Sequence, residues 1–339
     1  MMTRLLLACV VIGIIGCDAA ETVVVYTSVD EVFARPVAER FQDETGTTVH
    51  LVPDTEEAKS TGLLNRLIAE RERPVADVFW SGDPVRAAVL KSRGISAPYR
   101  SPLAQGLPAE YSDPDGHWTG FSARARVLVY NTTLIPAEQA PRSVLELTDE
   151  RVRGRGCLAN PLFGTTSMHA AALFTTLGDE RAKSFFDGFR RNGGRLVSSN
   201  GEVRRQVANG TCAIGVTDTD DAAVARREGA PLAVVYPDAD GMGTLVIPNC
   251  AVLIAGAPHP EAARRFIDYL LAPETEEQLA RSEAAQMPVR PGIVVPGVTP
   301  ISDLRPMPVD YAVLGKRLEE LSNGFLATWV ESVRTEQRQ

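Results

Sequence analysis

Short strand-like apolar runs and runs of helical period alternate along almost the whole chain, and this alternation limits the fold more than any other feature. Strand, helix and strand in succession pack most simply as a parallel layer, so an α/β protein is expected. Val23-Val24-Val25-Tyr26 reads as the first strand. Ser28 and Glu31 then read as a capping box opening a helix with Phe33, Val37 and Phe41 on its apolar face, closed by Gly46. A strand at 48–52, a helix carrying Leu63, Leu64, Leu67 and Ile68, and a strand at 76–80 complete a first group of units.

The pattern changes at Arg126-Val127-Leu128-Val129-Tyr130, a long strand that follows the turn-rich Ser112-Asp113-Pro114-Asp115-Gly116. A first crossing into a second lobe is expected there. Strands at 157–160, 195–198, 212–217 and 232–236 and helices at 167–177, 180–191, 202–208 and 222–227 fill that lobe, and the apolar run 243–254 crosses back. The helix at 260–271 then returns to the first lobe. The expected organisation is a leader over 1–16, a first lobe from 17–122 with 250–300, a second lobe over 123–249, and a C-terminal segment over 301–339 with a last helix at 311–329. Two lobes joined by two or more crossings make a hinge.

The formal net charge of −8 disfavours nucleic acid and anionic membrane surfaces as partners and points to a small molecule or a protein. At the N-terminus, Arg4, an apolar run from Leu5 to Ile15 too short to span a bilayer, and Gly16 before Cys17 form the pattern of a lipoprotein signal. Cleavage would leave a lipidated Cys17. An ordinary signal peptide with a chance cysteine is the alternative, because Ile14 and Ile15 stand where lipoprotein signals usually carry Leu and a small residue. In lipoproteins that this segment resembles, an Asp after the lipidated residue, here Asp18, keeps the anchor on the periplasmic side of the cytoplasmic membrane. Export would place Cys157, Cys212 and Cys250 in an oxidising compartment. A Cys157–Cys212 disulfide and three small buried apolar residues are the two readings of this set.

In open parallel sheets, ligands collect where strands end and helix N-termini present unbonded N–H groups. Here those junctions hold Ser28 and Asp30, Ser81, the stretch Asn160 to Ser167 with Thr165 and Thr166, Ser199 and Asn200, and Asp218, Asp220 and Asp221. Each of these types is also a standard helix cap. The last junction exceeds that need, since one cap accounts for one carboxylate and the others repel unless a cation, a ligand amine or solvent relieves them. Gly164 followed by Thr165, Thr166 and Ser167 reads as an N–H-lined nest for an anion. Glu56, with Glu57, either reaches the same cleft or lies on a solvated helix face. Arg124 and Arg126 share one side of the long strand, where one holds an anion or both pair with acids across the hinge. The four histidines are scattered, with no HExxH, GxSxG or Walker pattern, and His169 reads as structural.

Val25-Tyr26-Thr27-Ser28, Ala76-Asp77-Val78-Phe79-Trp80, Gly120 to Arg126, Ala159-Asn160-Pro161, Gly215 to Ala222 and Gly256 to Ala263 together resemble the extracellular solute-binding proteins of bacterial ABC importers, in the branch that includes ferric-iron-binding periplasmic proteins. The resemblance implies a periplasmic-binding-protein fold: two α/β lobes with parallel or mixed sheets that close about a hinge on a solute and hand it to a permease and its ATPase. It implies a monomer that binds without turnover. Ferric binders of this branch present paired tyrosines where this chain has Asp218 to Asp221. Carboxylates are still hard oxygen donors, so Fe(III) or an iron complex with a synergistic anion is the leading solute, with Asp218, Asp220 and Asp221 as its ligands. Other relatives take phosphonates, phosphosugars, thiamine or polyamines. A ligand sensor docking to a receptor and an exported hydrolase using Asp218 or Asp220 with His169 are readings from other classes.

Overall fold

A computed structural model describes residues 21–54 and 62–337. Cys17, Glu56 and Glu57 lie outside the described residues. β1 (Thr22–Thr27), α1 (Glu31–Thr45), β2 (Thr48–Pro53), α2 (Gly62–Ala69), β3 (Val78–Ser81), α3 (Pro84–Ser92) and the short β4 (Ser96–Ala97) come first. β1 pairs in parallel with β2 and with β3, as strands joined by crossover helices must. α1 ends at Gly46, whose φ of 73° is the left-handed conformation that only glycine adopts without strain. Its start differs from the expected capping box. Asp30 holds the N-cap position without a side-chain bond to the helix's first N–H groups, while the Ser28 hydroxyl accepts the Gly82 N–H at 2.8 Å. Ser28 leaves β1 beside the end of β3, so the donor it meets belongs to the neighbouring junction and not to its own helix.

The chain continues through β5 (Thr119–Asn131), β6 (Gly156–Ala159), α4 (Gly164–Leu177), α5 (Asp179–Arg191), β7 (Arg195–Val197), α6 (Asn200–Ala208), β8 (Ile214–Asp218), α7 (Thr219–Arg227), β9 (Leu232–Val235) and β10 (Val246–Ile254). It closes with α8 (Pro260–Leu270), α9 (Pro273–Arg281), α10 (Tyr311–Ser322) and α11 (Phe325–Gln337). The strands run in the order β2-β1-β3-β10-β5-β8-β6-β7, with β4 on β10 and β9 on β5. β5 is the shared element. Its residues 119–125 pair antiparallel with β10 and its residues 126–131 with β8 and β9. Every residue of β5 is buried, so its two arginines need partners along their length.

Several elements depart from the sequence reading, α3 and β4 among them. α4 begins at Gly164, so residues 164–167 are its first turn and not a loop nest. The last helix is two, broken at Asn323 and Gly324. α9 has no counterpart among the expected helices; its buried positions include Thr275 and Glu276, which hide the apolar period. In one apolar layer α1 and α8 meet over the sheet, with Phe41 and Phe266 rings 5.1 Å apart. The other layer runs without a break beneath both halves of β5. α10 packs against α3 on one side and α4 on the other, and α11 packs against α5 and β7.

Cys157 at the start of β6 and Cys212 just before β8 form a disulfide, with Cα atoms 6.0 Å apart, and Cys250 is buried and unpaired by any sulfur. The bridge closes a 55-residue span. On the chain-entropy account such a loop restricts the unfolded ensemble by about 4 kcal/mol. Replacing both cysteines by serine should lower the unfolding free energy in urea by an amount up to that size, with the native far-ultraviolet circular dichroism retained.

Candidate functional site

Arg124 and Arg126 lie two residues apart on β5, so both point to the same side, and each meets a carboxylate from the β8–α7 junction. Arg126 has no exposed surface. It stands directly opposite Asp218 in the ladder, and its Nη1 donates to Asp218 Oδ1 at 2.7 Å. The same nitrogen reaches Thr165 Oγ1 and Asn200 Oδ1, both at 3.1 Å; Nη2 reaches Thr166 Oγ1 at 3.3 Å, and Nε donates to His169 Nδ1 at 3.4 Å. On the far side of the carboxylate, Thr165 donates to Asp218 Oδ2 at 2.6 Å and Asn200 Nδ2 at 3.1 Å. One guanidinium thus ties β5 and β8 to the first turns of α4 and α6. A buried charge is tolerable only with a partner and a full set of hydrogen bonds, and this set provides both.

Arg124 bridges the loop after β3 and the β8–α7 junction. Its Nη1 donates to Asp220 Oδ2 at 3.3 Å, and its Nη2 donates to the Gly82 carbonyl at 2.6 Å and to Asn249 Oδ1 at 3.4 Å. Its Nε is buried with no partner. A Cβ at Gly82 would sit 2.8 Å from that Nη2, so a larger residue there would displace the guanidinium. Arg86 on α3 makes a second connection across the cleft: Nη1 pairs with Asp83 at 3.3 Å and Nη2 donates to Ser167 Oγ on α4 at 3.0 Å.

Burial alone would push the Asp218 carboxyl up, but the guanidiniums of Arg126 and Arg124 and the Thr165 hydroxyl outweigh it and hold it below the usual carboxylate range. Asp220 goes the other way. Burial raises it, the Asp218 and Asp30 charges add to the rise, and Arg124 offsets only part. Arg124 itself is held firmly protonated by Asp220, Asp218, Asp30 and Asp83 against the opposing effect of burial. Burial, with Arg126 alongside, lowers the His169 imidazole to about 3. The ring is therefore neutral and accepts from Arg126 through Nδ1, which leaves its proton on Nε2.

The remaining residues singled out from the sequence fall into two groups. Carboxylate oxygens of Asp218, Asp220 and Asp221 lie within 4.8 Å of one another, and Thr217 donates to Asp221 Oδ2 at 2.9 Å. Thr165, Thr166, Asn200 and Arg124 join them in one network, and Asp30 acts on both Arg124 and Asp220 electrostatically. By contrast, Ser199 caps α6 through the Glu202 N–H, Asn160 accepts the Leu162 N–H, and Ser81 donates to the Asp83 carbonyl. Sequence reasoning passed over Arg86, Asn249 and Glu276. Arg86 and Asn249 are polar residues inside otherwise apolar stretches, and that mismatch was the available signal, whereas Glu276 sits in a polar run that carries none. The seven tyrosines, at 26, 99, 111, 130, 236, 269 and 311, all lie away from the β8–α7 junction in the chain.

The His169 geometry has a measurable consequence. Its pKa in the fold lies far below the ordinary value of 6.5, so as the pH falls the unfolded chain takes up a proton that the folded state refuses. Stability is fully present above pH 6.5 and is lost as the pH falls toward 3. At pH 5.5 the loss from this group is about 1.4 kcal/mol relative to pH 7.5. Urea unfolding at the two pH values reads it, and His169→Gln should remove that share of the difference.

Comparison with known proteins agrees with this architecture. The chain is 28% identical over 282 residues to the iron uptake protein A1 of a Synechocystis species, covering 79% of this chain and 74% of that one. In structure it is similar to iron-bound HitA from Pseudomonas aeruginosa, with a TM-score of 0.80 and 24% identity over 92% of this chain and 99% of that one. It is also similar to AfuA from Actinobacillus pleuropneumoniae with fructose-6-phosphate bound, with a TM-score of 0.78 and 21% identity over 93% and 99% of the two chains. These are two-lobed periplasmic binding folds. With residues 73–305 matching the family as a whole, the chain belongs to the bacterial extracellular solute-binding proteins.

Proposed function

We infer that this protein is the solute-receiving subunit of an ABC importer, and that its solute is Fe(III) carried with an anion. The observation that carries the reading is the convergence, at the β8–α7 junction, of the Asp218, Asp220 and Asp221 carboxylates with the buried guanidinium of Arg124. Hard oxygen donors suit Fe(III), and a guanidinium suits the anion that accompanies it. The three acids are not equivalent. Asp218 is spent on Arg126, Thr165 and Asn200, so Asp220 and Asp221, with Asp30 from the facing junction, supply the metal oxygens. Arg124, released from Asp220, then turns to the anion. The name of the Synechocystis relative supports iron. The absence of tyrosines from the junction makes carboxylates the donors in this chain.

The protein binds and does not turn its solute over. The lobes formed by 17–122 with 250–300 and by 123–249 close about the β5 and β10 crossings, and the closed form, a monomer, docks to a permease with its ATPase. A lipid on Cys17 holds it on the periplasmic side of the cytoplasmic membrane. One observation favours a second solute. The buried Arg124 Nε without a partner fits a phosphate-bearing anion.

Thermal unfolding with ferric citrate, and separately with fructose-6-phosphate and inorganic phosphate, separates the two, because a ligand that binds the folded state raises Tm. Ferric citrate should raise it, and Asp220→Asn should weaken that binding at least about tenfold, roughly 1.4 kcal/mol. A phosphate-bearing solute would instead bind Asp220→Asn as well as or better than the parent and be lost in Arg124→Gln. No shift with ferric citrate removes the iron reading.

A further inference from the structure

Ser122 sits at an irregular point of β5. Opposite it, the register with β10 slips: Pro248 pairs with Ala123, and the next residue, Asn249, pairs with Phe121. Ser122 is the extra residue of a β-bulge, with φ of 38°, in the left-handed region that a serine rarely adopts. The slip changes which face each side chain occupies. Phe121 packs beside Trp80 in one apolar layer, whereas Ala123, two residues on, belongs to the other. In a regular strand both would lie on the same side. The bulge is thus what turns Arg124 and Arg126 toward the cleft, because a one-residue slip moves every following side chain to the opposite face.

The bulge does not hold itself. Glu276, on α9 and without exposed surface, accepts the Ser122 N–H on Oε1 at 2.7 Å. The same carboxylate accepts the N–H groups of Val289 at 2.9 Å and Arg290 at 3.1 Å. Asn249 holds the carbonyl of the same residue: its Nδ2 donates to the Ser122 carbonyl at 2.9 Å, while its Oδ1 receives Arg124. Ala123 and Met287 then exchange both backbone bonds, at 2.6 and 2.7 Å. On the far side of that bridge Ala285 also has a positive φ, 45°. Of the three non-glycine residues with positive φ among those described, two therefore flank this one bridge. Strain of this kind persists only where surrounding contacts over-determine it.

We propose that Glu276 is a positioning residue of the binding site: its buried carboxylate holds Ser122 in the bulged conformation, and that conformation aims Arg124 at the solute and Arg126 at its scaffold partner Asp218. Asn249 completes the clamp by joining the bulge to Arg124 directly. The proposal takes the Arg124 cleft as the solute site, the reading given above, and extends it to residues that touch no solute. A contact from α9 thereby decides the orientation of two arginines on a strand more than 140 positions earlier, as the 154-residue separation of the Ser122–Glu276 bond records.

Glycine adopts a positive φ without strain, which supplies the test. Ferric citrate titrations of Glu276→Gln should show affinity reduced about tenfold or more, at a temperature where circular dichroism reports full folding. Adding Ser122→Gly to Glu276→Gln should recover most of that loss, while Ser122→Gly alone should stay within about twofold of the parent. A Glu276 that only packs α9 against 289–290 would show no such rescue. Parent-like affinity in Glu276→Gln, or a loss that Ser122→Gly leaves untouched, overturns the proposal. Should Glu276→Gln not fold, Ser122→Val compared with Ser122→Ala decides the matter: the β-branched residue resists positive φ and should weaken binding, and equal affinities overturn the proposal. If the parent itself ignores ferric citrate, the iron reading fails. The clamp is then judged without ligand, by amide hydrogen exchange over 119–126, which should accelerate in Glu276→Gln and slow again in the double variant. Unchanged exchange in Glu276→Gln counts against the clamp.

Discussion

The pairing of Arg126 with Asp218 is the contact on which the second half of the molecule turns. A guanidinium taken wholly out of water costs several kcal/mol, and an isolated carboxylate beside it costs as much again. Here the two stand opposite each other on neighbouring strands, and Thr165, Thr166, His169 and Asn200 complete the set of bonds. Removing either partner would strand the other in a medium of low dielectric. The first turns of α4 and α6 are consequently fixed at the strand ends, the place where this architecture meets its ligand. Arg124, one pleat earlier, inherits a rigid platform from which to reach Gly82 and Asp220 across the cleft.

Much of this was legible in the residues. Alternation along the long strand placed Arg124 and Arg126 on one side, and the surplus of acids at 218–221 marked the junction they meet. The parallel units of the first half followed from the order of apolar runs. What stayed hidden shares a cause: the deciding partner lies far along the chain. Ser28 looked like the cap of its own helix, yet its hydroxyl serves Gly82, 54 residues away. Asp218 occupies an N-cap position and makes no cap bond, because Arg126 claims it. α9 and the bulge at Ser122 depend on each other across an even greater separation, so neither has a local signature.

The distribution of charge in the cleft also alters how its acids are counted. A cluster of three carboxylates looks like three equivalent donors, but their environments push them apart: Asp218 is held ionised by two guanidiniums, while Asp220 is made more basic by burial and its acidic neighbours. One acid belongs to the scaffold, and on the proposed function the others serve the solute. The same division applies to the arginines. Arg126 has every nitrogen engaged, whereas Arg124 keeps a buried Nε without a partner.

The strand order carries a consequence for how the molecule assembles. β10, from residues 246–254, lies between β3 and β5, so the first half-sheet lacks a central strand until most of the chain is present. The second half-sheet needs only a continuous stretch from β5 to β9, and its contacts are shorter in sequence. Loop closure therefore favours the second half as the early-folding unit, with the first half completed onto it when β10 docks. The cleft, built from both, is the last part to exist. On the proposed function, a solute bound there would stabilise the final step of folding as well as the finished protein.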